Sequence, residues 1–378
     1  MIDFGLSADQ EALQRSAREF LARECPPLLV RDCAASEDGV PRGLYREMAE
    51  LGWMGILVPE DAGGLGLGAL ELATLCEEIG RVAAPGPFLS TQLAIAALLH
   101  GGSAALRQAW LPRLVRGEAF ATLAVAQDAG TPAPDDVAVR AARERGGMAL
   151  SGTMPMVLDA PAADLLLVVA RTGAANGRGG VTLCAVERSQ PGVRVAPHAS
   201  LDVTRRFGAV TLRRAHVARD AVLGREGAAG PLLERLADLA CLGIAADSLG
   251  GAARTLEMAL EYARVREQFG RKIGSFQAIK HLLAEMVADV EPARSLVWHA
   301  AYAADRPARE RARAAAIAKA ALSDIYSRTA RRSVEIHGGI GFTWEFDLNL
   351  WFKRAHVSES LFGDPAYHRE RLATLERY

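Results

Sequence analysis

Cysteine is scarce and scattered in this chain. Its five thiols, Cys25, Cys33, Cys76, Cys184 and Cys241, never form a CxxC pair. That spacing argues against a zinc site or any other metal centre, and it offers no disulfide framework. Reduced thiols in a cytoplasmic protein are the simplest expectation. No uncharged apolar run reaches about 18 residues, so no membrane span is expected. The first twenty residues, MIDFGLSADQEALQRSAREF, carry acids and no apolar core, unlike a secretory signal. Charge of one sign is missing too. With 44 Lys and Arg against 45 Asp and Glu, the net charge of −1 leaves no electrostatic footprint for nucleic acid or an anionic membrane. Internal repeats are absent, and the one biased stretch, rich in alanine and arginine at 307–321, is expected to be an exposed helix face.

What is present is an ordinary globular composition. Half of the 378 residues are hydrophobic and 24% are charged, which suits two or three domains. Ser7-Ala-Asp-Gln10 has the form of a capping box before an amphipathic helix to about Arg23, and Pro26-Pro27 stops it. Helices are expected at 43–57, 69–80, 88–100 and 103–116, completing an all-helical first domain over 1–118. The glycine run at 63–68 lacks a preceding strand and GxGxxG spacing, so it reads as a connecting loop.

Near Phe120 the character changes. Thr122–Gln127, Met148–Ser151, Leu165–Ala170, Val181–Val186 and Phe207–Leu212 are short apolar runs separated by turn residues. Strands without intervening helices predict an antiparallel sheet or small barrel over 119–223. From Pro231 the pattern is helical again, at about 231–264, 275–303, 307–336 and 348–376. Four long helices predict a bundle over 224–378. The fold class is therefore α+β, with helical, β and helical-bundle domains in that order.

Two turns in the last domain carry chemistry. Arg266-Glu-Gln268-Phe269-Gly270 is a cationic break between helices, and a guanidinium fork there suits a phosphate. Glu335-Ile-His337-Gly338-Gly339-Ile-Gly341-Phe342 has three glycines, more than a helix C-cap needs, and such turns let a backbone approach a ligand closely.

The first of these turns, with Ile273, Phe276-Gln277 and Lys280 to Met286, resembles the signature of the acyl-CoA dehydrogenase family. The second turn, the Glu-Leu-Gly-Trp-Met-Gly-Ile and Glu-Glu-Ile-Gly-Arg segments, and Val222-Leu223-Gly224-Arg-Glu226-Gly227 resemble the same family. The resemblance covers nearly the whole chain. It implies FAD held between the β-domain and the bundle, with the ADP part reaching a neighbouring subunit. By position, Arg266, Gln268, Phe269 and Gln277 would meet the pyrophosphate and adenine side. Glu335, Gly338 and Gly339 would supply the other subunit's contribution, and Met156 and Leu158 would cover the flavin ring. The resemblance further implies α,β-dehydrogenation of an acyl-CoA thioester in fatty acid or lipid metabolism. An electron-transfer flavoprotein or similar acceptor would be a partner, and the assembly would be a homo- or heterotetramer.

Departures from the family pattern concentrate on the chemistry. Ala126-Gln127-Asp128 and Met156-Val157-Leu158 stand where Thr-Glu-Pro and Trp-Ile-Thr are expected, so the side chain at 158 has no donor for the flavin. The family's catalytic carboxylate is replaced by Phe362, and a rarer alternative position by Ala240. Asp364 is the first candidate for a displaced base, with Asp238 and Asp247 behind it; His356 and His368 are expected at the surface. Three possibilities stay open: an active dehydrogenase with an unusual base, a non-catalytic subunit completing FAD sites in a heteromeric dehydrogenase, or a non-enzymatic binding homologue.

Overall fold

The computed structural model describes residues 5–36, 38–125, 137–173 and 180–377. The first domain holds α1 (Ala8–Glu24), α2 (Pro27–Ala35), α3 (Arg42–Glu50), α4 (Ala69–Arg81), α5 (Phe88–Gly101) and α6 (Ala104–Val115). The capping box forms at α1: Gln10 N–H donates to the Ser7 hydroxyl, and the Gln10 side chain returns to the Ser7 N–H. Helix α3 is shorter than the expected 43–57, because Gly52 takes φ +80 and the chain turns into a short 3-10 segment at Trp53–Gly55. The expected segment at 126–127 lies outside the described residues.

The middle of the chain folds as β1 (Ala121–Ala124), β2 (Arg140–Glu144), β3 (Gly147–Leu158), β4 (Leu165–Arg171), β5 (Val181–Glu187), β6 (Val193–His198), β7 (Phe207–Ala218) and β8 (Val222–Leu223). Their order is β6-β7-β3-β2-β4-β5-β8, with β1 on β4. The sheet is mixed rather than purely antiparallel: β1 and β2 each pair with β4 in parallel. The β2–β3 hairpin returns the chain before β4 begins, so β4 runs in the same direction as β1. Strands β2 and β6 escaped the apolar-run criterion because they are largely solvated, with few buried positions to mark them.

The last domain is organised around α7 (Gly230–Val265), followed by the hairpin β9 (Glu267–Gln268) and β10 (Arg271–Lys272), then α8 (Gln277–Ala303), α9 (Ala308–His337), α10 (Leu348–Ser360) and α11 (Pro365–Glu376). Helix α7 contains a window long and apolar enough to cross a membrane, but 89% of it is buried inside the protein, as befits a core helix. It packs on α4, α5, α8 and α9. The alanine-rich start of α9 is not an exposed face. Ala312, Ala314, Ala315, Ala316, Ala318 and Lys319 are buried, and their small side chains let α9 lie close against its neighbours, while Arg309 and Arg313 reach outward to Glu376.

The expected helix 348–376 is two helices. Phe362 (φ +56) and Gly363 (φ +103) break it, and Asp364 then caps α11 with Pro365 at its first position. Gly-Asp-Pro is a stop-and-restart signal for helices.

Candidate functional site

One half of the candidate site is a hairpin at the far end of α7. Phe269 (φ +53) and Gly270 (φ +75) form its turn, where two consecutive positive φ values match the twist of a tight hairpin. The Arg266 carbonyl accepts the Ile273 N–H at 2.8 Å and closes the base. Arg266, Gln268 and Gln277 are exposed, and Phe269 is 92% exposed, its ring edge-on to Phe276. Arg271 lies 4.0 Å over the Phe276 ring, which stiffens the hairpin from outside.

The glycine turn after α9 sits beside this hairpin. The Tyr262 ring stacks on His337 with centroids 4.4 Å apart, joining the ends of α7 and α9. Gly338 needs its glycine for φ +65. Gly339 does not: a side chain there would meet nothing within 4 Å, and its φ is ordinary. Arg266, Gln268, Phe269, Gln277, Glu335, Gly338 and Gly339 thus gather at one end of a single chain. The donor set is an exposed guanidinium, two amides, an exposed aromatic ring and an open glycine backbone, and it fits the diphosphate and adenine of a dinucleotide.

The other half lies far away. Ala240 and Arg266 are separated by an unbroken run of α7, about 39 Å at 1.5 Å per residue. Around Ala240 the protein is apolar. Ala240, Cys241, Leu158, Phe207, Leu361 and Phe362 belong to one buried cluster, with Met156 at its margin. Phe362 is 4% exposed and Ala240 is fully buried. The Thr122 hydroxyl donates to the Leu158 carbonyl at 2.7 Å, tying β1 to β3. Leu158 itself offers no side-chain donor to a flavin ring. Ala126, Gln127 and Asp128 lie outside the described residues.

Polar groups do reach this cluster, and Glu234 and Arg371 line the cavity beside it. Lys319 is fully buried and donates to Ser323 Oγ (2.9 Å), the Glu359 carbonyl (3.0 Å) and the Gly363 carbonyl (2.9 Å). Burial lowers its pKa to about 8. His368 is not at the surface as expected but 1% exposed. Its Nε2 donates to the Phe362 carbonyl at 3.0 Å, since a carbonyl only accepts, and its Nδ1 has no partner among the described residues. Burial first, then the charges of Lys319 and Arg371, push the imidazole down to about 3, so it is neutral. His356 is half-buried, edge-on to Phe352. Burial raises the Cys241 thiol to about 11, which leaves it protonated.

Each candidate carboxylate is already engaged. Asp364 is exposed and caps α11, accepting the Tyr367 N–H at 2.7 Å. Asp238 bridges Arg311 (2.9 Å) and Arg371 (2.6 Å). Asp247 bridges Arg205 (2.8 Å) and Arg354 (3.0 Å). Burial opposes its ionisation, but the two guanidinium groups together outweigh that and hold it below the usual carboxylate range. A cavity of about 130 Å³ opens beside Phe362, Cys241 and His368, walled by Leu123, Val169 and Leu233. Asp364 does not line it. Among the described residues no group of three or more His, Cys, Asp or Glu is placed to hold a metal ion.

Sequence reasoning missed Lys319, the burial of His368 and the pairing of Asp247 with Arg205 and Arg354. Only the helix restart at Gly363-Asp364-Pro365 hinted at the first two, because it turns His368 inward.

A three-part chain with an α-β-α order and a dinucleotide-suited end describes a class of flavin-dependent dehydrogenases. The comparisons narrow the class. Residues 7–118 match the acyl-CoA dehydrogenase N-terminal domain and residues 233–375 the acyl-CoA dehydrogenase C-terminal domain. The chain is 31% identical over 372 residues to acyl-CoA dehydrogenase IpdE2 of Mycolicibacterium smegmatis, covering 98% of this chain and 99% of that one. It superposes on a chain of the Tcur3481-Tcur3483 steroid ACAD with a TM-score of 0.87 at 31% identity, covering 98% of both. It also superposes on a chain of the ChsE4-ChsE5 complex from Mycobacterium tuberculosis with a TM-score of 0.89 at 30% identity, covering 100% of this chain and 99% of that one. The chain belongs to the acyl-CoA dehydrogenase family, whose members are FAD-dependent oxidoreductases of lipid metabolism.

Proposed function

We propose that this chain is a subunit of a heteromeric acyl-CoA dehydrogenase that completes FAD sites without removing the substrate proton itself. The observation that carries this is the environment of the two base positions: Phe362 and Ala240 are buried in one apolar cluster. Asp238, Asp247 and Asp364, the candidate replacements, are each held by arginines or a helix cap. FAD, when bound, supplies the hydride acceptor. Arg266 would neutralise its diphosphate, Phe269 would cover the adenine, Gln268 and Gln277 would fix orientation, and Gly338 and Gly339 would admit the backbone, with Glu335 at the rim. The ring half of a flavin finds no side-chain donor at Leu158 or Met156. Because the two halves lie about 39 Å apart along α7, the hairpin would serve a neighbouring subunit.

Two similarities support a heteromer. The ChsE4-ChsE5 and Tcur3481-Tcur3483 structures each carry two chain names. The acyl-CoA substrate, an electron-transferring flavoprotein as acceptor, and a cytoplasmic setting belong to the same proposal; the five cysteines, all unpaired and buried, suit a reducing compartment. The test is co-expression with a homologous chain that carries the carboxylate. The expected result is a mixed oligomer with FAD bound and acyl-CoA-dependent reduction of an artificial acceptor. A chain that forms only homo-oligomers, fully loaded with FAD and active alone, overturns the proposal.

A further inference from the structure

A second cavity, larger than the one at Phe362, lies against the opposite side of α7. Its volume is about 380 Å³, within the range of small-ligand sites. Leu233, Ala237 and Cys241 line the first cavity, whereas Arg235, Asp238, Leu239 and Leu242 line this one. At 100° per residue those two sets occupy different faces of the helix. The first domain supplies the facing wall through Leu57, Leu67 and Leu99, and the ends of α8 and α9 close it with Ala300 and Ala315.

The rim is cationic. Arg235 pairs with Asp305 at 2.8 Å, and Arg311 pairs with Asp238, which Arg371 already holds from the other side. The Arg107 side chain has no hydrogen-bond or ion-pair partner among the described residues. Arg235 and Arg311 are matched by Asp305 and Asp238, so the unpaired Arg107 leaves an excess of positive charge over an apolar chamber. His100 lies at the same rim, and its pKa is lowered by burial first and then by Arg235, against an opposing contribution from Asp305.

We infer that this cavity binds an aliphatic monocarboxylate, its chain among Leu57, Leu99 and Leu242 and its carboxylate at Arg107 and Arg235. The apolar chamber accounts for the chain and the unpaired guanidinium for the head. The chamber is separate from the cavity at Phe362, to which the Asp238–Arg371 pair connects it.

Calorimetric titration of the purified chain with octanoate, and with 1-octanol as the uncharged probe, tests it. Octanoate should bind saturably with Kd of about 1 mM or tighter, and 1-octanol at least about tenfold more weakly. The Arg107→Ala, Arg235→Ala double variant, altered only at solvent-reaching side chains, should weaken octanoate at least about tenfold with an unchanged circular dichroism spectrum. Ala69→Trp at the half-buried mouth should weaken it as well, while Ala237→Trp in the other cavity should not. No saturable uptake, equal affinity for octanol, or sensitivity to Ala237→Trp instead of the rim variants overturns the inference.

Discussion

The His368 imidazole donates to the Phe362 carbonyl across 3.0 Å, and both residues are buried. This bond fixes the turn between α10 and α11, and the buried imidazole links stability to pH. The folded imidazole has its pKa pushed to about 3, whereas an unfolded histidine titrates near 6.5. Between those values the unfolded chain binds the extra proton. Stability from His368 is therefore complete above pH 6.5 and is lost as pH falls toward 3. Between pH 6.5 and 5 the loss is about 2 kcal/mol. Asp159, raised to about 6 by burial, contributes the opposite slope between 3.8 and 6. Urea midpoints for the wild type and His368→Gln at both pH values separate the two, and the variant should lack the histidine part of the slope.

Lys319 holds the same turn from the other side. Lys319→Met leaves the Glu359 and Gly363 carbonyls without this buried donor. The expected destabilisation is about 2–4 kcal/mol in urea unfolding. A change below about 0.5 kcal/mol means that the turn is held by packing alone.

Asp247 joins three parts of the chain. Its partner Arg354 on α10 also donates to the Ala84 carbonyl of the first domain and to Thr204 Oγ1, and Arg205 donates to Ser358 Oγ. Asp247→Asn keeps the shape but leaves two buried guanidinium groups without their shared counter-charge. The expected cost is about 3–5 kcal/mol, measured by denaturant unfolding.

The hairpin answers differently, because it is exposed. Arg266→Ala and Phe269→Ala should change stability by less than about 0.5 kcal/mol. In the mixed oligomer, Arg266→Ala should weaken FAD retention by at least about tenfold, read by release on gel filtration. Normal retention in both variants removes the hairpin from the cofactor site.

The order of helical, β and helical parts was legible because apolar periodicity switches twice, near Phe120 and near Pro231, and the two glycine-bearing turns stood out as interruptions between long helices. What stayed hidden was tertiary. Solvated strands such as β2 and β6 carry no apolar run, alanines on α9 look solvent-suited until a second helix lies on them, and a histidine's burial depends on where its helix restarts. Asp364 looked available as a base because its role as a cap follows from the break at Phe362 and Gly363, which the helical pattern at 348–376 concealed.

On the proposed function, the substrate proton is removed by a homologous partner chain and not by this one. The most direct measurement is anaerobic mixing of the chain, reconstituted alone with FAD, with a panel of acyl-CoA thioesters while following the flavin's visible absorption. No acyl-CoA-dependent bleaching is predicted for the chain alone, and bleaching is predicted once a carboxylate-bearing homologous chain is assembled with it. Bleaching by the chain alone at a catalytic rate contradicts the account.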